Sequence, residues 1–167
     1  MLGVIKENQA GDISYMLGHA NPFQADIAPA DPRAFAEPID IVPKLPTSLQ
    51  STLTSPKWKE RKEVLDDLST LLTSTPRIKE APELGELAKS LAVRVQGDAN
   101  INCVMTAAAC MEALAKGMMA SFARYRELVV APMLERLKER KANVTDAIGK
   151  ALDGVFATVS HWLWISS

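Results

Sequence analysis

The 167-residue chain is poor in cysteine, histidine and aromatic residues: it has two cysteines, two histidines and only 5% Phe, Trp and Tyr. Two cysteines are too few for a disulfide framework, so free thiols in a reducing compartment are expected, with no metal and no cofactor. An excess of one charge is also missing. The 19 Lys and Arg face 20 Asp and Glu, which removes the overall positive surplus that nucleic-acid binding calls for. The eight glycines are scattered and build no phosphate-cradling loop; Gly97 and Gly117 read as helix-end punctuation. The opening MLGVIKENQAGD reaches Lys6 after too short an apolar run for a signal peptide. No stretch approaches the roughly 20 apolar residues of a membrane helix, so neither secretion nor a membrane partner is expected.

What is present is 47% hydrophobic residues, enough for the core of one domain. Seven of the ten prolines fall between Pro22 and Pro56. Residues 1–36 accordingly lack periodicity and read as a linker or disordered tail, because frequent proline blocks the helical hydrogen-bond ladder. From Leu45 the apolar spacing is helical: Leu45, Leu49 and Leu53, then Val64, Leu65, Leu68, Leu71 and Leu72, and onward to Val159. Six helices result, in three pairs. The turns Ser55-Pro56-Lys57, Gly97-Asp98-Ala99 and Lys138-Glu139-Arg140-Lys141 precede second helices beginning near Trp58, Asn100 and Asn143, at spacings of 42 and 43 residues. That period predicts an all-α, HEAT-type solenoid of about three hairpins at 45–74, 83–118 and 120–159, within a domain spanning 37–160 and followed by an atypical tail at 161–167.

No catalytic constellation emerges. Cys103 and Cys110 share one helix among Val104, Met105 and alanines, where core thiols are expected. His19 and His161 have no nucleophile or acid at useful spacing, and the carboxylates form no acid/base dyad, so no enzyme is predicted. Asn143-Val144-Thr145 opens a helix and reads as a cap rather than a glycosylation acceptor. The informative feature is the location of positive charge. Lys57, Lys59, Arg61 and Lys62 surround Trp58 at the first within-pair turn, and Lys138, Arg140 and Lys141 occupy the third. Within-pair turns line one edge of a solenoid. Two readings stand open: an edge with a tryptophan anchor and steering charges for an acidic protein surface, or a Trp58 that caps the core beneath solvated lysines.

The stretch from Glu37 to about Val159 resembles a TOG domain, the tubulin-binding HEAT-repeat module of the chTOG-type microtubule polymerases. Glu37-Pro38-Ile39-Asp40-Ile41 with Lys44-Leu45-Pro46 is similar to the segment leading into the second TOG domain, and Lys57 through Leu65 to its first tubulin-facing loop and following helix. Gly97 through Ile101 resembles the second loop, and Glu135 through Lys141 the basic third loop. The resemblance covers about half of a complete domain, three repeats where the family has six. It implies binding of the αβ-tubulin heterodimer and microtubule ends, support of microtubule growth and spindle organisation, and residence in the cytoplasm on microtubules, spindle poles and kinetochores. By the same resemblance, tubulin-binding roles fall on Trp58, Lys59, Arg61, Asn100, Ile101, Lys138 and Lys141, with Lys57 and Arg140 as supporting charges. Asp98 is expected to orient its loop. The alternative is a generic HEAT scaffold that binds another protein.

Overall fold

A computed structural model of the chain describes residues 31–165, with side chains described through residue 158. The chain divides into two units, Met1–Pro32 and Arg33–Ser167. The tail expected over 1–36 lies mostly outside the described residues; its last part forms a short 3-10 turn, Pro32–Phe35. Arg77 hydrogen-bonds the carbonyls of Ala34 and Ala36 at 3.0 and 3.3 Å.

The second unit contains six α-helices among the described residues: α1 (Leu49–Leu53), α2 (Trp58–Thr73), α3 (Glu83–Gly97), α4 (Ile101–Met118), α5 (Arg126–Arg136) and α6 (Ala142–Ile165). Each odd-numbered helix packs on its even-numbered successor. Helices α1, α3 and α5 also pack side by side in one layer, and α2, α4 and α6 in the other. This is the two-layer solenoid that the repeat spacing predicts, because a single hairpin cannot bury both apolar faces and each face is closed by the next pair.

Three details differ from the periodicity. First, α1 spans only five residues, and Leu45 is extended and partly buried rather than helical. Pro46 disfavours helical backbone at the residue before it, so the helix does not include Leu45. Second, a 3-10 turn, Met119–Tyr125, separates α4 from α5, and Met119 takes a φ of 54° at the end of α4. Third, α6 runs to Ile165, past the boundary expected at 160, since nothing in its sequence stops it. Ser166 and Ser167 lie outside the described residues.

Helix α4 is central, touching α2, α3 and α6. Its alanines make that possible: Ala107, Ala108 and Ala115 are wholly buried and keep its surface thin enough for close approach from several sides. Cys103 and Cys110 are also fully buried on it, their thiols donating to the carbonyls of Trp58 (3.5 Å) and Leu65 (3.4 Å) on α2. Burial pushes both thiols up, Cys110 to about 12, so they stay protonated and inert at neutral pH. An 18-residue window within Ile101–Arg136 is apolar enough, by length and composition, to cross a membrane, contrary to the expectation above. Here that apolarity serves the core, with 56% of the window buried.

The segment before α1 is tied down by an isolated parallel bridge between Ile39 and Ile78. Ile39 donates to the Arg77 carbonyl at 3.0 Å and accepts from Lys79 at 2.8 Å, which drives Ile41 into the core. Ile78 in turn donates to the Gly117 carbonyl at 2.8 Å. Gly117 therefore serves close packing as well as the helix end: a Cβ there would stand 2.6 Å from Ile78 Cδ1 and 2.8 Å from Cγ1. Ile78 is buried and held by its backbone, so it cannot withdraw cheaply. The Gly117→Ala variant should lose about 1 kcal/mol in urea unfolding, overpacking of about 1–3 kcal/mol outweighing a helix-propensity gain of about 1 kcal/mol.

Candidate functional site

The three connections within pairs are residues 54–57, 98–100 and 137–141; the second is tied to the first through Arg61 of α2 and to the third repeat through Arg136 of α5. Their organiser is Asp98, which is 1% exposed. Its carboxylate accepts two hydrogen bonds from Arg61 on α2, from Nε and from Nη2, each 2.8 Å long. It also accepts the Asn100 backbone N–H at 2.9 Å and lies 3.4 Å from Arg94 Nη1 on α3. The Asp98 carbonyl accepts from Arg136 Nη2 of α5 at 3.2 Å, and Arg136 Nη1 reaches the Gln96 carbonyl at 3.1 Å. One residue thus fastens its own loop to the repeats on either side. Burial works against the Asp98 charge, but the Arg61 hydrogen bonds, the Asn100 N–H and the arginine charges prevail, holding its carboxyl below the usual range. Arg61 is raised in return by its bonds to Asp98.

The expected binding residues divide into two groups around this anchor. Trp58, the first residue of α2, is 42% exposed while its carbonyl accepts the Cys103 thiol, so its backbone is held and part of its ring faces solvent. Lys57 and Lys59 are exposed beside it. Lys57 pairs with Glu60 at 2.9 Å, and Glu60 also accepts the Ser55 hydroxyl at 2.6 Å. Lys138, Arg140 and Lys141 are exposed on the third loop. Lys138 and Arg140 line a cleft with Gln96, Glu135, Arg136 and Glu139. The other three residues face inward to different degrees. Arg61 faces furthest inward: its side chain is 9% exposed and each of its three nitrogens donates, Nε and Nη2 to Asp98 and Nη1 to the Ser55 carbonyl at 2.7 Å, so it braces the loops. The Asn100 side chain caps α4 by accepting the Asn102 N–H at 2.9 Å, and Ile101 packs partly on the core.

Arg94, outside the motifs, and Arg136, inside the third-loop motif but without a role there, also hold the site. The Arg94–Asp98 spacing of four at a helix C-terminus was a legible signal. Arg136 has a local partner in Glu139 at 3.5 Å, but the carbonyls that tie it to the second loop lie 38 and 40 residues earlier.

No protein-family model matches the chain. Among curated proteins it is 41% identical over 124 residues to the spindle pole body component alp14 of Schizosaccharomyces pombe, covering 74% of this chain. The chain is a homologue of the chTOG-type family of TOG-domain proteins. It spans 15% of the length of that relative. Its fold matches a structure solved for microtubule plus-end tracking by XMAP215, CLIP-170 and EB1, with TM-score 0.70 and 36% identity over 73% of this chain and 50% of that one. A second match, with TM-score 0.72 and 27% identity over 93% of this chain and 35% of that one, comes from work on tubulin recruitment and assembly by microtubule polymerases with TOG-domain arrays. The all-α HEAT architecture is therefore that of TOG domains.

In this TOG-type unit, Asp98→Asn leaves Arg61 buried without a counter-charge, and a loss of about 3–5 kcal/mol in denaturant unfolding is expected. The double variant Arg61→Leu/Asp98→Asn should cost less than the sum of the single changes, which a double-mutant cycle reads directly. The pH sign follows from the depressed Asp98 value. Its contribution is complete above the unfolded carboxyl pKa of about 3.9 and disappears as pH falls through the lower folded value. Acid titration of stability should therefore flatten below about pH 4 in Asp98→Asn relative to the parent.

Proposed function

We propose that this chain is a binding module, not an enzyme, and that it engages the αβ-tubulin heterodimer through the loop edge. The observation that carries the reading is Trp58: a large aromatic ring, 42% exposed, on a backbone fixed by the core and set between exposed lysines. A rigid apolar surface costs little side-chain entropy when a partner covers it, and Lys57, Lys59, Lys138, Arg140 and Lys141 would steer an acidic partner toward it. Asn100 and Ile101 sit at the mouth of the second loop, where backbone and partly exposed apolar atoms are available for contact. Arg61 has a supporting part, fixing the loops through Asp98.

On this reading the edge supports growth at microtubule ends and spindle organisation, in the cytoplasm on microtubules, spindle poles and kinetochores. The similarity of Glu37–Ile41 to the segment leading into the family's second TOG domain favours that domain. Preference for curved, unpolymerised tubulin over straight lattice tubulin would make the edge a delivery device, since differential affinity for two conformations is what shifts an equilibrium between them.

Size-exclusion chromatography of the chain with unpolymerised tubulin at low salt tests the reading. Co-elution is expected, and a folded Trp58→Ala variant should bind weaker by at least about 2 kcal/mol, roughly thirtyfold. Undiminished binding by that variant would overturn the assignment of the edge. Lys138→Ala/Lys141→Ala should mainly slow association and reduce its salt dependence, measured by stopped flow.

A further inference from the structure

We propose that Ser55 is a modification site for a proline-directed Ser/Thr kinase, and that its phosphorylation weakens the loop edge; the second half of this statement rests on the tubulin-binding reading. The chain has two Ser/Thr-Pro dipeptides, Ser55-Pro56 and Thr75-Pro76, each followed by basic residues at the same offsets, Lys57 and Lys59 in one and Arg77 and Lys79 in the other. Sequence does not separate them. The fold does. Thr75 is 5% exposed and its hydroxyl donates to the Leu71 carbonyl at 2.8 Å, inside the turn that ends α2. Ser55 lies in the first loop of the binding edge, half-buried, with Pro56, Lys57 and Lys59 all exposed beside it.

Access to Ser55 requires local opening, with release of the Ser55 carbonyl from Arg61 Nη1 and of its hydroxyl from Glu60. The element before it, α1, is five residues long, too short to hold itself as a helix without packing, and Lys57 is already extended. The proline at the next position has no N–H to leave unpaired when the loop is drawn into an extended substrate pose. In the transfer itself the Ser55 oxygen bonds to the γ-phosphorus of Mg-ATP, the bond to ADP breaks, and the hydroxyl proton passes to the kinase's base.

The consequences follow from the present contacts of that hydroxyl. It donates to Glu60 at 2.6 Å and accepts the Lys57 backbone N–H at 3.2 Å. A phosphoserine carries about -1.5 to -2 charge at neutral pH and has no proton to give Glu60, so two like charges would face each other where a hydrogen bond now stands. Lys57, paired with the same Glu60, and Arg61, whose Nη1 donates to the Ser55 carbonyl at 2.7 Å, are the cations the structure places beside Ser55, and pairing of Lys57 with the phosphate withdraws part of the positive charge around Trp58. The start of a helix tolerates the anion, so the expected result is loss of binding without loss of fold.

The test uses the whole chain, a purified cyclin-dependent-type proline-directed kinase and Mg-ATP. Intact mass and peptide mapping should show one phosphate, on Ser55 and not on Thr75, and none on Ser55→Ala. The phosphorylated chain should bind unpolymerised tubulin at least about tenfold more weakly than its unmodified form, with an unchanged thermal midpoint. Ser55→Ala, treated alongside, should keep whatever affinity it had before treatment. No incorporation at Ser55 in the folded chain overturns the site. Incorporation without a change in tubulin affinity overturns its regulatory effect. Incorporation into a chain that never bound tubulin supports the site, overturns the regulatory effect and removes the tubulin reading, so the failures are told apart.

Discussion

The Asp98 carboxylate is the constraint on which the rest of the structure depends. A buried ion pair is expensive to assemble, because each charge surrenders its hydration, and it is justified only where the geometry is complete. Here it is complete: the Arg61 fork meets both carboxylate oxygens, a backbone N–H takes further acceptor capacity, and Arg94 closes the side nearest α3. With the Asp98 carbonyl held by Arg136, the arrangement reaches across all three repeats. An apolar cluster of equal volume could supply stability, but not the directional bonds that set the loops against one another.

The helical body supports that arrangement by economy of side-chain size. The alanines and buried cysteines of α4 let α2 and α6 approach it closely, and the Ile78–Gly117 contact does the same at the opposite end of the helix. The scarcity of aromatics acquires a physical meaning in this setting. Buried Phe122 packs edge-on against Tyr125 in the turn before α5, while Trp58 stands half-exposed at the loop edge. An edge built this way presents a ring and several lysines on a backbone that has little freedom left to lose on binding. The same loop contains a hydroxyl whose present partners, Glu60 and the Lys57 N–H, make it sensitive to added charge.

Much of the fold was legible because helical repeats write their period into the chain. The second-helix starts near Trp58, Asn100 and Asn143 fall within a residue of the observed helices. The reading was weaker where proline or a short turn intervened, at α1 and at Met119–Tyr125, because apolar spacing alone does not distinguish a helix from a 3-10 turn with similar side-chain placement. Of the site, exposed residues such as Lys59 and Lys138 could be placed by loop position. Arg61 could not.

The sequence by itself determined the class of fold, the existence of three loops on one edge, and the concentration of basic residues around a tryptophan. These are local properties, set by period, turn chemistry and residue type over a few turns of helix. Tertiary structure decided which charges are free. Arg61 and Lys59 are two residues apart in the same basic run, yet one is locked inside by a partner 37 positions away and the other faces solvent. It likewise distinguished Ser55 from Thr75, whose flanking sequences match, because burial arises from packing between distant segments and not from the residues beside it.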